Sequence, residues 1–195
     1  MIDRIKNILV SPKTEWQTIR AEKKPHVEVL TTYVLLLALI PALASFIGYG
    51  LIGKTVLGIK IGGFGWGLRH AIIQYVTMVG GVYLSALVIN FLADTFNARK
   101  NFDQAFSLVA YSYTPMFVGG VFYLFLSLTW LALIAGLYGL YLLYIGLAPM
   151  MKVPNEKQTA YFVVSLLVMI VVSAVLSGIF TAILITSPAV TNITF

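Results

Sequence analysis

Among side chains that can carry chemistry, this chain has two histidines, His26 and His70, and no cysteine. The histidines stand on different segments without metal-ligand spacing, so neither a zinc protease nor a thiolate site is expected. A Ser–His nucleophile would have to use His70 with no flanking signature, which argues against hydrolysis. The densest group of hydroxyls is Ala110-Tyr111-Ser112-Tyr113-Thr114-Pro115. Proline removes a backbone donor and kinks a helix, so Pro115 and a second proline, Pro41, mark two bends inside apolar runs. Beside the bend at Pro115, the side chains of Tyr111, Ser112 and Thr114 have two uses. They can line a hinge or small polar cavity, or they can cap the carbonyl that proline frees, which is the favoured reading. No residue is assigned to catalysis, a cofactor or a metal, and the chain is expected not to be an enzyme.

These residues sit in an apolar background. Of 195 residues, 59% are hydrophobic and only 10% are charged, far from the balance of a soluble domain. No charged side chain occurs from Gln104 to Met151, or from Gln158 to Phe195. About 20 apolar residues suffice to cross a bilayer as a helix, so the first run must turn back on itself. The predicted fold class is an all-α integral membrane protein with five transmembrane helices and a short amphipathic N-terminal segment. The spans are read as Leu30–Tyr49, Ala71–Ala93, Phe106–Leu128, Trp130–Pro149 and Ala160–Ile185, with a bend at Ser127-Leu128-Thr129-Trp130. Residues 1–29 then form the N-terminal segment, 30–186 the transmembrane domain and 187–195 a short tail. An ionisable group at the centre of a span costs about 2.5–3.5 kcal/mol, and these spans contain none. A proton pump built on mid-membrane carboxylates is therefore not expected. Residues such as Gln74, Ser85 and Asn90 are read as interhelical hydrogen-bonding groups.

The cations distribute unevenly. Arg4, Lys6, Lys13, Arg20, Lys23, Lys24, Arg99, Lys100, Lys152 and Lys157 fall on one predicted side; Lys54, Lys60 and Arg69 fall on the other. The positive-inside bias places the N-terminus in the cytoplasm and the C-terminus outside. Basic residues beside spans touch anionic headgroups, so the net charge of +6 points to lipid and not to nucleic acid. No cleavable signal peptide is evident.

Before the first span, Ile2, Ile5, Ile8 and Leu9 recur at helical spacing with Arg4 and Lys6 on the other side. Ser11-Pro12 reads as an N-cap and a helix-starting proline, and Trp16 and Ile19 share one face of the helix it starts. This basic amphipathic segment either lies in the headgroup layer with Trp16 and Ile19 inserted, or packs on the ends of the bundle. The glycine-rich loop Gly50–Gly67 lacks the features of a phosphate loop, and Phe64 and Trp66 read as interface anchors. Tyr138, Tyr141 and Tyr144 repeat every three residues and read as a polar-tipped seam or, the favoured reading, an ordinary packing stripe. Ser173/Ser177 and Ala174/Gly178/Ala182 have the small-residue spacing that allows close helix approach. Asn192-Ile193-Thr194 fits the glycosylation pattern of a eukaryotic secretory compartment.

Several of these landmarks come in a familiar order. Pro12-x3-Trp16-x2-Ile19, then Ala110-Tyr111 with Pro115, then Tyr144-Ile145-Gly146-Leu147 running into Val153-Pro154-x-Glu156-Lys157-x2-Ala160 resemble the prokaryotic branch of the Yip1 domain family. The resemblance covers nearly the whole chain and implies five spans with the N-terminus inside, in a bacterial or archaeal plasma (inner) membrane. Eukaryotic relatives are implicated in vesicle traffic and contact small prenylated GTPases. They use a long N-terminal region with an Asp-Leu-Tyr-Gly-Pro-type motif; this chain has neither, so GTPase binding is not carried over. The leading expectation is a non-enzymatic organiser of lipids or partner membrane proteins, as a homo-oligomer or with other chains. The alternative is a transporter or channel for a small neutral or weakly polar solute, built around Pro41 and Pro115.

Overall fold

Pro12 splits the N-terminal amphipathic run, because its ring suits the first turn of a helix and not the interior. In the computed structural model, α1 therefore ends at Val10 (Ile2–Val10) and α2 spans Pro12–Glu22. Ser11 makes no side-chain cap; its carbonyl accepts from the Glu15 N–H. Lys23 closes α2 in the left-handed conformation, at φ 48°. The backbone is described over residues 1–56 and 59–185, and side-chain surroundings over 1–53, 62–171 and at Ala174.

Long helices come next, each as long as its apolar run allows. α3 covers His26–Ile52 and contains two widened π turns, Leu30–Val34 and Phe46–Ile52. The loop after it is not wholly irregular: β1 (Lys54–Val56) and β2 (Ile59–Ile61) pair antiparallel, Lys54 opposite Ile61. Thr55, Val56, Ile59 and Ile61 are β-branched, which favours extended backbone between glycines. α4 is Phe64–Leu92, α5 Phe102–Leu124, α6 Thr129–Met151 and α7 Asn155–Ile185. Among the described residues, four helical segments are long and apolar enough to cross a membrane: α3, α4, α5, and α6 with the short turn before it. The expected fifth span, Ala160–Ile185, falls on α7, which is not among these four. Ser173, Ser177, Gly178 and Ala182 lie outside the residues whose side chains are described, and Asn192 outside the described chain.

Boundaries moved where a cap decided them. α5 begins at Phe102, before the expected Phe106, because the Asn101 side chain accepts from the Gln104 N–H at 3.0 Å. It loosens into 3-10 turns from Gly120, and α6 restarts at Thr129, inside the expected bend.

α4 packs along α3 and α5, α6 along α5, and α7 against α4 and α6. The three segments that hold the ten cations meet at one end of this bundle, where the Arg99 N–H donates to the Met151 carbonyl at 2.7 Å. At this basic end every residue from Ala105 to Ser112 is buried, as are Leu142, Leu143, Gly146, Leu147, Met150 and Met151. Nearer the other end of α6, Leu133, Ile134 and Leu137 are 73%, 54% and 67% exposed. Apolar exposure on this scale needs a hydrocarbon solvent. One half of the charge-free run is thus covered by protein, and the other half faces lipid.

Backbone approach at the far end depends on glycine. A Cβ on Gly67 would lie 2.4 Å from the Gly50 Cα and 2.7 Å from the Phe46 carbonyl oxygen; one on Gly65 would meet nothing within 4 Å. Gly67→Ala should therefore lower stability by about 1–3 kcal/mol, as overpacking does, while Gly65→Ala leaves it unchanged. Thermal unfolding of the two variants in detergent checks this, and equal melting temperatures would contradict it.

Candidate functional site

The N-terminal helices form an antiparallel pair packed on the bundle, not a segment lying free at the surface. α2 runs along α6, and α1 reaches the middle of α5. Trp16 is fully buried and Ile19 nearly so. The indole fills the space over Gly146, where a Cβ would come 2.7 Å from Trp16 Cε2 and 2.5 Å from Leu108 Cδ1. Tyr138 adds a second tie: its hydroxyl donates to the Leu9 carbonyl at 2.8 Å. That carbonyl is one of the unpaired acceptors at the end of α1. Of the two expectations for this segment, the structure takes the one that packs on the bundle.

Arg4 corrects the reading of α1. The apolar periodicity put it on the outward face, but its guanidinium bonds Glu15 and Glu22 of α2 and lies 5.5 Å from the centre of the Tyr111 ring. Burial disfavours its charge, yet hydrogen bonding to Glu22 and the two carboxylates more than offset that, so its pKa is raised. A polar face is turned inward because the facing helix supplies matching carboxylates. Arg4 is a staple between the two helices and the bundle.

Beneath this staple lies a cavity of about 540 Å³, with Arg4, Glu15, Glu28, Thr32, Tyr33 and Tyr111 among its walls. The sequence pointed to Tyr111, Thr114 and Pro115 here, and the structure brings them to Tyr33. The Tyr33 hydroxyl and Thr114 Oγ1 are 2.7 Å apart, and the Tyr33 and Tyr111 rings meet edge-on at 4.7 Å. Thr114 Oγ1 donates to the Tyr111 carbonyl at 2.6 Å, which is the acceptor left without a donor by Pro115. The hydroxyl-rich stretch therefore caps its own kink. Tyr33 escaped the sequence reading; its only signal was the polar group Thr31-Thr32-Tyr33 inside an apolar run, at the first π turn.

The remaining candidates lie elsewhere. Pro41 is buried against Gly120, where a Cβ would sit 2.5 Å from Pro41 Cβ. Pro115 is buried as well. Ser112 faces the other way, into a cavity of about 290 Å³ with Ser85, Tyr113 and Gly139, and its hydroxyl has no partner. His26 opens α3 at the basic end and bonds Asp103 through both its N–H and Nδ1, at 2.8 and 2.6 Å. His70 stacks on Tyr49 near the start of α4, at the opposite end. The two histidines cannot share a ligand. The tyrosines of α6 do more than pack: besides Tyr138, the Tyr144 hydroxyl meets Thr159 Oγ1 at 3.1 Å.

A helical bundle with lipid-facing apolar flanks and a docked amphipathic hairpin defines a polytopic membrane protein. The Yip1 domain model matches residues 6–177, so the chain belongs to the Yip1 family. It is 30% identical over 156 residues to the inner membrane protein YohC of Escherichia coli K12, covering 77% of this chain and 80% of that protein. The YohC of an O6:H1 strain of the same species matches equally. No solved structure matches the chain.

Thr114 joins the kink to Tyr33, so its loss should be felt at both. Thr114→Val leaves the Tyr111 carbonyl and the Tyr33 hydroxyl unpaired and should cost about 1–2 kcal/mol, whereas Thr114→Ser should recover most of it. Melting temperatures in detergent decide, and a valine variant as stable as the parent would contradict the assignment.

Proposed function

We propose that this protein is a non-enzymatic organiser of an inner membrane, holding lipids or partner membrane proteins at its basic end. The observation that carries this reading is the docked hairpin: α1 and α2 are fixed to the bundle by Trp16, Tyr138 and Arg4. They make a structured, cationic platform along the basic half of the bundle. The name of the Escherichia coli relative supports an inner-membrane location. The positive-inside bias puts the platform in the cytoplasm, with α7 as a fifth span and the C-terminus outside. Solute transport, the other use of two prolines, finds less support. Both prolines are packed, and the Thr114 hydroxyl is engaged by backbone and by Tyr33.

The test replaces Trp16 and Ile19 with Asp together. Two carboxylates in that apolar slot should release the hairpin while the spans still insert. Protease added to inverted vesicles, but not to sealed spheroplasts, should then cleave within residues 1–25. Cross-links to neighbouring membrane proteins and co-purified lipid should fall together. Cleavage from the outer side would contradict the orientation, and unchanged cross-links and lipid would contradict the function.

A further inference from the structure

At the basic end, outside the cavity described above, a second one of about 410 Å³ is lined by Arg20, Lys23, Arg99, Lys152, Asp103 and Gln104. The four cations come from three chain segments: the end of α2, the turn before α5 and the turn after α6. Among the described residues none of the four makes an ion pair; the pairs at this end belong to Arg4, Lys24, His26 and Lys100. The one carboxylate in the wall, Asp103, is held by two bonds from His26. Four cations against one carboxylate, whose Oδ1 is already bonded by His26, leave the cavity with a clear excess of positive charge.

Gln104 also stands in the wall, and its side-chain carbonyl makes no hydrogen bond within the described residues. Lys23 and Lys152 both end helices at positive φ, 48° and 52°, where glycine or asparagine is the usual residue. A lysine held there carries its ammonium to the cavity wall.

We infer that this cavity binds the phosphate of an anionic phospholipid headgroup. The shared chemistry is a phosphate monoanion or dianion among guanidinium and ammonium groups. Lipid is favoured as its source by location. Met150 contributes an apolar wall, and the cavity sits where the apolar helix faces stop, the level of bilayer phosphates. The turn Arg99-Lys100-Asn101 also borders an apolar groove formed by Leu87, Phe91 and Val168, with Lys100 at its rim. Phe91 there is 75% exposed. Within one turn, Arg99 and Asn101 thus face the cationic cavity and Lys100 the apolar groove. This inference deepens the proposed function and rests on it.

The experiment compares two triple variants, purified in mild detergent from membranes containing phosphatidylglycerol and cardiolipin, by native mass spectrometry. R20Q/R99Q/K152Q removes three cations of the cavity; K6Q/K13Q/K157Q removes three from the same end outside it. Because its three cations converge on one phosphate as charge-assisted donors, the cavity variant should retain these lipids about tenfold less or worse, and the control within about twofold of the parent. Equal losses in both variants would mean diffuse attraction and overturn the site. A second arm adds inorganic phosphate to lipid-stripped protein. If phosphate stabilises the parent but not the cavity variant, while lipid retention is the same in both, the ligand is free phosphate and the lipid assignment fails. K152Q alone repeats the comparison should the triple variant not fold. If lipid is lost on releasing the hairpin but not on neutralising the cavity, the proposed function stands and this site falls.

Discussion

Trp16 can reach Leu108 and the face of α6 because position 146 carries no side chain. Much of the basic end depends on that seat. With the indole in place, α2 covers the second half of α6, and the buried stretch from Ala105 to Ser112 is closed on the hairpin's side. The carboxylates of α2 then face α1, which brings Arg4 over Tyr111 and closes a polar cavity. The end of α2 also delivers Arg20 and Lys23 to the second cavity. The seat has a cost, since the indole N–H is buried without an acceptor, worth about 1–3 kcal/mol for an unmade bond. Burial of the largest apolar side chain available more than offsets it.

The spans were readable because hydrocarbon imposes one rule: backbone polar groups must pair within the segment, so a crossing helix needs a long apolar run. That rule located α3, α5 and α6 to within about four residues, whereas α4 begins at Phe64, ahead of the expected Ala71, and takes Arg69 and His70 into the helix. It could not set their ends, which depend on local caps such as Asn101, nor the π turns of α3, which leave no periodic signature. The loop after α3 was read for glycine content alone, and its β-branched pairs went unused.

The site was half legible. A proline's missing donor predicts a nearby hydroxyl, and of the grouped residues Thr114 caps the Tyr111 carbonyl that Pro115 frees while Ser112 faces the other way. Tyr33 and Arg4 were not legible, for a common reason. Amphipathic periodicity says that a helix has two faces but not what will cover each. Lipid and another helix can each satisfy the apolar face of α2. Which one does so depends on a glycine far along the chain, and the landmark Tyr144-Ile145-Gly146-Leu147 marks Gly146 without saying what fills the space above it. Arg4 shows the same limit from the polar side: its outward assignment assumed water, and α2 supplied carboxylates instead.

The central claim is that the N-terminal hairpin is part of the bundle and not an anchor in the headgroup layer. A photoreactive benzophenone side chain in place of Trp16 tests it in native membranes. Illumination should link it within the chain, to the peptide containing Gly146 or to that containing Leu108. Recovery of the label on phospholipid, with neither peptide modified, would contradict the account.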